Sequence, residues 1–549
     1  MAIIRSQCGG CSTGCGIRAI TGEDRALIVE GDGTHPANGG LLCAGARRIE
    51  GMADLRGRLL HPVAQGRRQT WDRGIAHVAQ RLKAVLARHG PGSVALHVGD
   101  GLLTEDLYVA NKLFKGFMGS AHVQATGLGP VAGAQRLAFG EDVMPAALED
   151  IGRADLILLV GDTLMTRQPL WLERVKAARE RGARLCVLAG QADGAEDLAD
   201  CMVPIRRGSA ARLMTGLLVH CHAAGMLDPD ALAQRVVLPA DFWPRVSGEH
   251  DLWSVARACG LTPAAVRDFY DLWTGADRVV TLYPDDDAGL AAAVLNLHLA
   301  TGRIGRSGAA PFAVAALANG MGVREVGCTC DQLAAHRGFA VEAVADTARF
   351  WGGRSMARSA GLAGEALLEA MRAGRIKALW SLGDAGDDAA WLADARAAVP
   401  FSIRSTTQEA ALGEGWSVVL PSPVWAEKDG TLTSMDRLVS RHRRLFDLPG
   451  EARPDWWALT KVAQAMGWGD AFHYERPADI YREHARLTAY RNDGRYLLNL
   501  RRHAPVSNPA YDELTPWRWG EVPFRDGRFP TEDGKARLVV AAVQADAIP

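Results

Sequence analysis

Charge of one sign is in short supply in this sequence: 62 Lys and Arg stand against 63 Asp and Glu in 549 residues. No overall field is left to draw in nucleic acid or an anionic membrane, so recognition has to be local. No apolar run reaches the roughly 18 residues that a membrane-spanning helix needs, which excludes membrane insertion. The opening, Met1-Ala2-Ile3-Ile4-Arg5-Ser6-Gln7, has neither an apolar signal-peptide core nor a twin-arginine pair, and the cytoplasm is the expected compartment. Cysteine is scarce too, and ten in the whole chain cannot staple a secreted disulfide scaffold. Solenoid-period repeats, low-complexity tracts, an H-E-x-x-H zinc helix and a nucleophile elbow are all missing. Gly127-Leu128-Gly129 lacks a preceding strand and the third glycine of a dinucleotide fingerprint.

Core material, by contrast, is plentiful. Hydrophobic residues make up 48% and charged residues 23%, an ordinary globular profile. The length exceeds what one hydrophobic core supports, so two or three packed α/β units with a small N-terminal module are expected. Ile75, Val78, Ala79, Leu82, Val85 and Leu86 recur at helical spacing and lead across His89-Gly90-Pro91-Gly92 into an apolar run from Ser93 to Val98. Asp155 to Val160, Arg184 to Leu188, Arg278 to Tyr283 and Ala378 to Leu382 repeat that pattern, each ending at a turn. Short apolar strands alternating with longer helical stretches predict parallel sheets covered by helices, in two Rossmann-like α/β units. From about Pro477 onward the sequence is less periodic and richer in Arg, Tyr and Pro, which predicts a tail wrapping the surface.

Four of the ten cysteines crowd the first 43 positions. Cys8, Cys11 and Cys15 make a C-x2-C-x3-C loop, and Cys43 closes the set after a 27-residue excursion. Three thiolates on a compact Gly-rich loop can each reach a different iron of a cubane, and a distant fourth completes all-cysteine ligation of a 4Fe–4S cluster. Gly9, Gly10, Gly14 and Gly16 free the backbone to bring amides close to the sulfurs. The rival is structural zinc, which usually takes paired C-x2-C knuckles; four unligated cysteines would leave a thiol-rich loop with nothing to order it.

The same segment, continuing through His35-Pro36-Ala37-Asn38 to Leu42-Cys43, resembles the opening of molybdopterin-dependent oxidoreductases, and within them the large subunit of bacterial assimilatory nitrate reductases. The resemblance runs on through Leu103-Thr104-Glu105-Asp106, Ala110-Asn111-Lys112, Lys115 to Ser120 and Ala138 to Asp142. It continues at His298 to Gly305, Arg324-Glu325-Val326-Gly327, Trp425 to Thr431 and Arg453-Pro454-Asp455-Trp456-Trp457, in order along nearly the whole chain. It implies a fold of an iron–sulfur module (1–57), an α/β domain (58–98 plus 340–476), a second α/β domain interleaved with it (99–339) and a C-terminal tail (477–549).

Departures fall where that family binds its molybdenum cofactor. Members carry a cysteine, in some relatives serine or aspartate, as molybdenum ligand in the loop after the match to Lys115 through Ser120. Here that loop, Val123-Gln124-Ala125-Thr126-Gly127-Leu128-Gly129-Pro130, is shortened, and no cysteine lies between Cys43 and Cys186. The residue two past the fourth cluster cysteine, typically a lysine between cluster and pterin, is Gly45. A Gly-Ser-Asn turn with a later His-Pro is replaced by Gly161-Asp162-Thr163 and Gln168-Pro169, and a Gly-Thr-Asn-Pro turn by Gly383-Asp384-Ala385-Gly386. A Ser-Gln-Gly-x-Asn loop is replaced by Pro284-Asp285-Asp286-Asp287, whose carboxylates would repel a pyrophosphate by roughly 1 to 4 kcal/mol per close pair. The family usually continues into a C-terminal β-rich domain closing over the cofactor, and this sequence stops soon after its match at Phe529 to Gly534.

The departures imply a vestigial pterin cleft near Gly45, Gly127, Gly161, Asp162, Asp285 and Gly383, without molybdopterin guanine dinucleotide and without catalytic residues. The expectation is an electron-transfer or scaffold subunit, as the large iron–sulfur subunit of respiratory complex I is within the same resemblance. Its partner would be a molybdenum-bearing paralogue or a flavin or ferredoxin-type reductase. An active nitrate reductase and a cluster-sensing or assembly protein are the alternatives. Arg437, Arg441, His442, Arg443 and Arg444 read as a docking patch for an acidic partner or as a solvated basic loop. Cys328 and Cys330 read as a redox or metal pair or as packing residues, His35 as a sulfur hydrogen-bond donor or a turn cap, and Trp456 and Trp457 as core or interface.

Overall fold

Five-residue runs with every side chain apolar or tightly packed need cover on both faces, and this chain supplies it twice with parallel sheets between helices. The structure is a computed structural model that describes residues 2–22, 25–161, 168–190 and 196–540. One sheet has seven strands in the order Arg67–Arg68, Val63–Ala64, Val418–Pro421, Phe401–Thr406, Ala378–Leu382, Val94–Val98 and Val123–Ala125. It is parallel except at its Val63–Arg68 hairpin edge. The other has five parallel strands in the order Cys201–Val203, Arg184–Leu188, Leu156–Val160, Val279–Pro284 and Pro311–Val314. Leu156–Val160 and Val94–Val98 are buried at every residue, as central strands of such sheets must be.

The expected helix runs Trp71–His89. Thr70 accepts from the Arg73 N–H at its start, Ile75, Val78, Ala79 and Leu82 line its buried face, and Gly90 at φ +81° ends it. Two small antiparallel sheets complete the frame: Ala2–Gln7, Gly16–Thr21 and Leu27–Gly31 at the N-terminus, and Gly430–Thr433, Leu438–His442 and Trp517–Arg518.

Two expectations are corrected. The boundary at residue 99 falls inside the first α/β unit, because Val123–Ala125 pairs with Val94–Val98, and Leu317, Val323, Val326 and Ala334 fill the same core as the helix Thr104–Asn111. The stretch after residue 476 is not a surface wrapping up to residue 540: Tyr481, Tyr511 and Trp519 are fully buried, and Ala536–Arg537 pairs with Val236–Val237. Its buried aromatic residues Tyr481, Tyr511, Trp519, Phe524 and Phe529, spaced without a clear period, belong to the core of the five-stranded sheet, so periodicity missed them.

The stretches that carry the family resemblance are buried polar networks. Glu427 binds Arg25 and Arg58, Lys428 lies between Asp106 and Asp455, and Glu105 accepts from the Thr431 backbone N–H, the Thr431 hydroxyl and the Tyr511 hydroxyl. Burial without a compensating charge keeps His442 and His484 neutral, bringing each from 6.5 down to about 3. Burial pushes Glu105 up to about 7.

These shifts oppose each other. Below pH 6.5 the unfolded chain binds two histidine protons that the native chain refuses until about pH 3, so stability falls as pH drops. Glu105 binds its proton in the native state first, so it adds stability as pH falls from about 7 to 4.5. The net expectation from these three groups is a stability that falls as pH drops from 6.5 to 4.5, and more steeply below that. Melting temperatures across that range check it, and a flat profile would contradict it.

Candidate iron–sulfur site and the adjoining cleft

Residues 8–15 are the loop of an antiparallel hairpin, closed by the Cys8 N–H donating to the Cys15 carbonyl at 2.8 Å. The loop turns back through Gly14, whose φ of +64° disfavours a side chain and whose Cβ would lie 2.9 Å from Ser434. Gly9 lies flat on the Trp425 indole, where a Cβ would meet the ring at 2.6 Å. Asn38 ties the Cys43 segment to this hairpin, accepting from the Gly16 N–H at 2.9 Å and donating to the Gly16 and Leu41 carbonyls at 3.0 and 2.7 Å. The four expected cysteines are thereby brought into one another's fields.

Cys8 and Cys15 are buried, while Cys11 and Cys43 are partly exposed. Burial pushes the Cys8 thiol up to about 12, and Cys11 and Cys15 are raised for the same reason, each resisted further by its neighbouring cysteines. Thiols raised in this way ionise beside concentrated positive charge, which the irons of a cluster would supply to Cys8, Cys11 and Cys15. Among the described residues no three His, Cys, Asp or Glu side chains surround a single-ion position, whereas a cubane takes each thiolate on a separate iron. The residues fit the cluster, for which the Gly10 N–H, 3.4 Å from the Cys8 sulfur, is already a sulfur donor.

Where the resemblance expects a lysine, the Gly45 Cα carries nothing beyond the Cys43 sulfur, 3.5 Å from where its Cβ would lie. The cations acting on these thiols are instead Arg48 on Cys8 and Arg174 on Cys15. Arg174 is held by the Pro36 and Ala37 carbonyls, at 2.8 and 2.6 Å. Sequence reasoning missed both, and Arg174 had no signal, since 158 residues separate it from Cys15. His35 bonds Ser440 at 3.2 Å and accepts from the Ala37 N–H at 3.3 Å, and burial brings it down to about 4. It is the neutral clasp of a turn, not a donor to sulfur.

The expected cleft residues gather at the carboxyl ends of parallel strands, where open α/β sheets bind ligands. Gly127 follows Val123–Ala125, Gly161 follows Leu156–Val160, Asp285 follows Val279–Pro284 and Gly383 follows Ala378–Leu382. Asp162 lies outside the described residues. A strand does precede Gly127, contrary to expectation, although the third glycine is still wanting. The loops close on one another. The Gly129 N–H donates to the Asp285 carboxylate at 3.2 Å, and a Cβ on Gly129 would lie 1.8 Å from the Asp285 carbonyl oxygen. Asp100 and Asp384 exchange backbone hydrogen bonds at 2.8 and 3.0 Å, with Gly383 at φ +74° packed against the Asp100 carbonyl. Thr126 and Gln124 both donate to Asp388, at 2.9 and 2.8 Å.

Burial raises both Asp100 and Asp285 above the usual carboxylate range. Arg324, 1% exposed, stands 3.8 Å from Asp285 and 3.7 Å from Asp142, with none of its nitrogens in a hydrogen bond. Asp287 caps the helix Ala288–Ala300 by accepting from the Leu290 N–H at 2.9 Å.

The basic patch does not survive as a docking surface. Arg437 and Arg441 are buried, donating respectively to the Met144, Ala146 and Trp519 carbonyls and to Gly430, Tyr511, Asp429 and Asp512. Arg443 is held by the Asp512 and Arg5 carbonyls, and Arg444 alone of the four stays exposed at the side chain, beside Asp447. Of the four arginines only Arg441 lies on the strand Leu438–His442, every residue of which is buried. Cys328 is buried and pushed up to about 12, beside Lys115, whose ammonium donates to the Gly327, Thr329 and Gln332 carbonyls. Packing is the role these contacts give it. Trp456 is a core residue and Trp457 packs edge-on against Trp71 at 5.1 Å.

Comparison with known proteins decides the family. The molybdopterin oxidoreductase family matches residues 58–465, and the molybdopterin oxidoreductase Fe4S4 domain matches residues 1–52. The chain belongs to the molybdopterin oxidoreductase family. It is 35% identical to a nitrate reductase of Klebsiella oxytoca, over 99% of this chain and 64% of that protein. It is 33% identical to a nitrate reductase of Shewanella frigidimarina, over 99% of this chain and 62% of that protein. The chain thus spans less than two thirds of the length of either relative. Acetylene hydratase from Pelobacter acetylenicus shares the fold at a TM-score of 0.73 and 17% identity, over 97% of this chain and 77% of that one. The Fe4S4 domain match coincides with the cysteine hairpin, and the family match coincides with the two parallel sheets. Among the described residues no helix is long and apolar enough to cross a membrane.

Proposed function

We propose that this chain is an iron–sulfur electron-transfer protein of the molybdopterin oxidoreductase family that has given up the molybdenum cofactor and works beside a redox partner. The observation that carries this reading is the closure of the loop after Val123–Ala125 on the loop after Val279–Pro284, with the Asp285 carboxylate bonded to the Gly129 N–H. A helix N-terminus at the end of a parallel strand is a ready anion site, and here Asp287 fills it with its own carboxylate. No side chain of the loop 123–130 offers a thiolate, and its one hydroxyl, Thr126, is engaged with His97 and Asp388.

The cluster, when bound, supplies a one-electron carrier. Cys8, Cys11, Cys15 and Cys43 would hold it, and of these Cys11 and Cys43 are the partly exposed pair, on the side a redox partner could approach. The partner is a molybdenum-bearing paralogue or a flavin or ferredoxin-type reductase. Reduction of nitrate on a retained molybdenum cofactor is the second reading, favoured by the 35% and 33% identity to two nitrate reductases.

Metal analysis separates the two. Protein purified anaerobically from molybdate-supplied cells is expected to hold about four irons per chain, with a reducible cluster signal in EPR and neither molybdenum nor tungsten. Molybdenum or tungsten near one equivalent would overturn the proposal and call for a nitrate reduction assay.

A further inference from the structure

Two cysteines far from the cluster stand side by side in the second sheet. Cys186 on Arg184–Leu188 and Cys201 on the edge strand Cys201–Val203 are Cα partners in a parallel pair. Neighbouring strands lie about 4.8 Å apart, and paired residues project to the same face. That spacing falls within the roughly 4.4 to 6.8 Å between Cα atoms that disulfides span. Each of the two side chains shifts the ionisation of the other. Cys186 is wholly buried in the core beneath the sheet, and Cys201, packed against that core, is partly exposed. No role described above uses either residue, and among the described residues neither belongs to a metal-ligand cluster.

We propose that Cys186 and Cys201 form a redox-active dithiol that closes to a disulfide by exchange with a small-molecule disulfide. Cys201 is the attacking group. It is the accessible member, and the Cys186 thiol and the Arg184 guanidinium favour its thiolate over the opposing effects of burial, Asp268 and Asp200, bringing it down to about 7. The Cys201 thiolate attacks one sulfur of the external disulfide; that S–S bond breaks, and the departing thiolate takes up the proton Cys201 released. The Cys186 sulfur, giving up its own proton, then attacks the Cys201 sulfur and displaces the second external thiol, which carries that proton away. The protein dithiol loses two electrons and two protons, and the external disulfide gains both. The new bond would fasten the edge strand to its neighbour and close the connection between residues 186 and 201 into a ring.

The test uses the full chain with its cluster, incubated anaerobically with oxidised glutathione, then acid-quenched, unfolded, alkylated and mapped by peptide mass. The expected result is one linked peptide pair joining Cys186 to Cys201, with alkylation lost at both. In Cys186→Ser, glutathione is expected to remain on Cys201, and in Cys201→Ser, Cys186 is expected to stay free. Two results overturn the proposal: both thiols still alkylated after incubation, or glutathione retained on Cys201 of the unsubstituted chain with Cys186 free.

Discussion

Replacing Cys15 with alanine is expected to abolish the cluster, with iron falling from about four per chain to a small fraction of one and the visible charge-transfer absorbance lost. Cys15 is 4% exposed and sits at the end of the hairpin, where its carbonyl accepts from the Cys8 N–H. No side chain among the described residues stands ready to replace it as a ligand. The backbone bond persists in the variant, so the hairpin keeps its shape while one iron loses its anchor. The α/β units are expected to stay folded, because Cys15 belongs to a small core with Ile17, Ala19, Ile49 and Leu445, separate from the two large ones. Iron assay with circular dichroism on the same sample reads both effects. Full iron content in the variant would mean that Cys15 is not a ligand.

Replacing Lys428 with methionine is expected to cost about 3–5 kcal/mol, the range for removing one partner of a buried ion cluster. The ammonium lies 3.0 Å from Asp455 and 3.5 Å from Asp106, with all three side chains buried. The carboxylates also hold backbone: Asp106 accepts from the Leu103 and Trp456 N–H groups, and Asp455 accepts from the Ser422 hydroxyl. Methionine matches the volume but leaves two carboxylates facing each other without a cation. Asp106 is already raised by burial, and loss of Lys428 would raise it further. Carboxylates raised in the native state gain stability as pH falls, so the deficit should shrink in acid. Urea unfolding at pH 7.5 and 5.5 reads both. As a control, Lys176→Met removes only an exposed pair with Glu173 and should change stability by less than about 1 kcal/mol. Equal stability of the two variants would refute the assignment.

The Fe4S4 domain was legible in the sequence because its cysteine pattern is local: three of the four cysteines fall within eight residues, on a short Gly-rich loop. The five strands predicted from apolar runs all formed, because a strand covered on both faces must be apolar throughout and advertises that in one dimension. The domain boundary was less legible. Val123–Ala125 is only three residues long, and its place depends on the free edge of Val94–Val98.

The basic run at 437–444 shows the limit most plainly. Composition and charge are properties of a segment, and a segment rich in arginine reads as solvated. Whether Arg437 and Arg441 meet water or carbonyls depends on residues such as Met144 and Tyr511, tens to hundreds of positions away. The paired thiols Cys186 and Cys201 depend on the register of two strands in the same way. By itself the sequence determined the cysteine pattern of the Fe4S4 domain, the α/β class and the residues that stand along the cleft, since each rests on short-range pattern or residue identity. Only the tertiary structure decided which charges are buried and which loops close on each other, because those follow from contacts between residues distant along the chain.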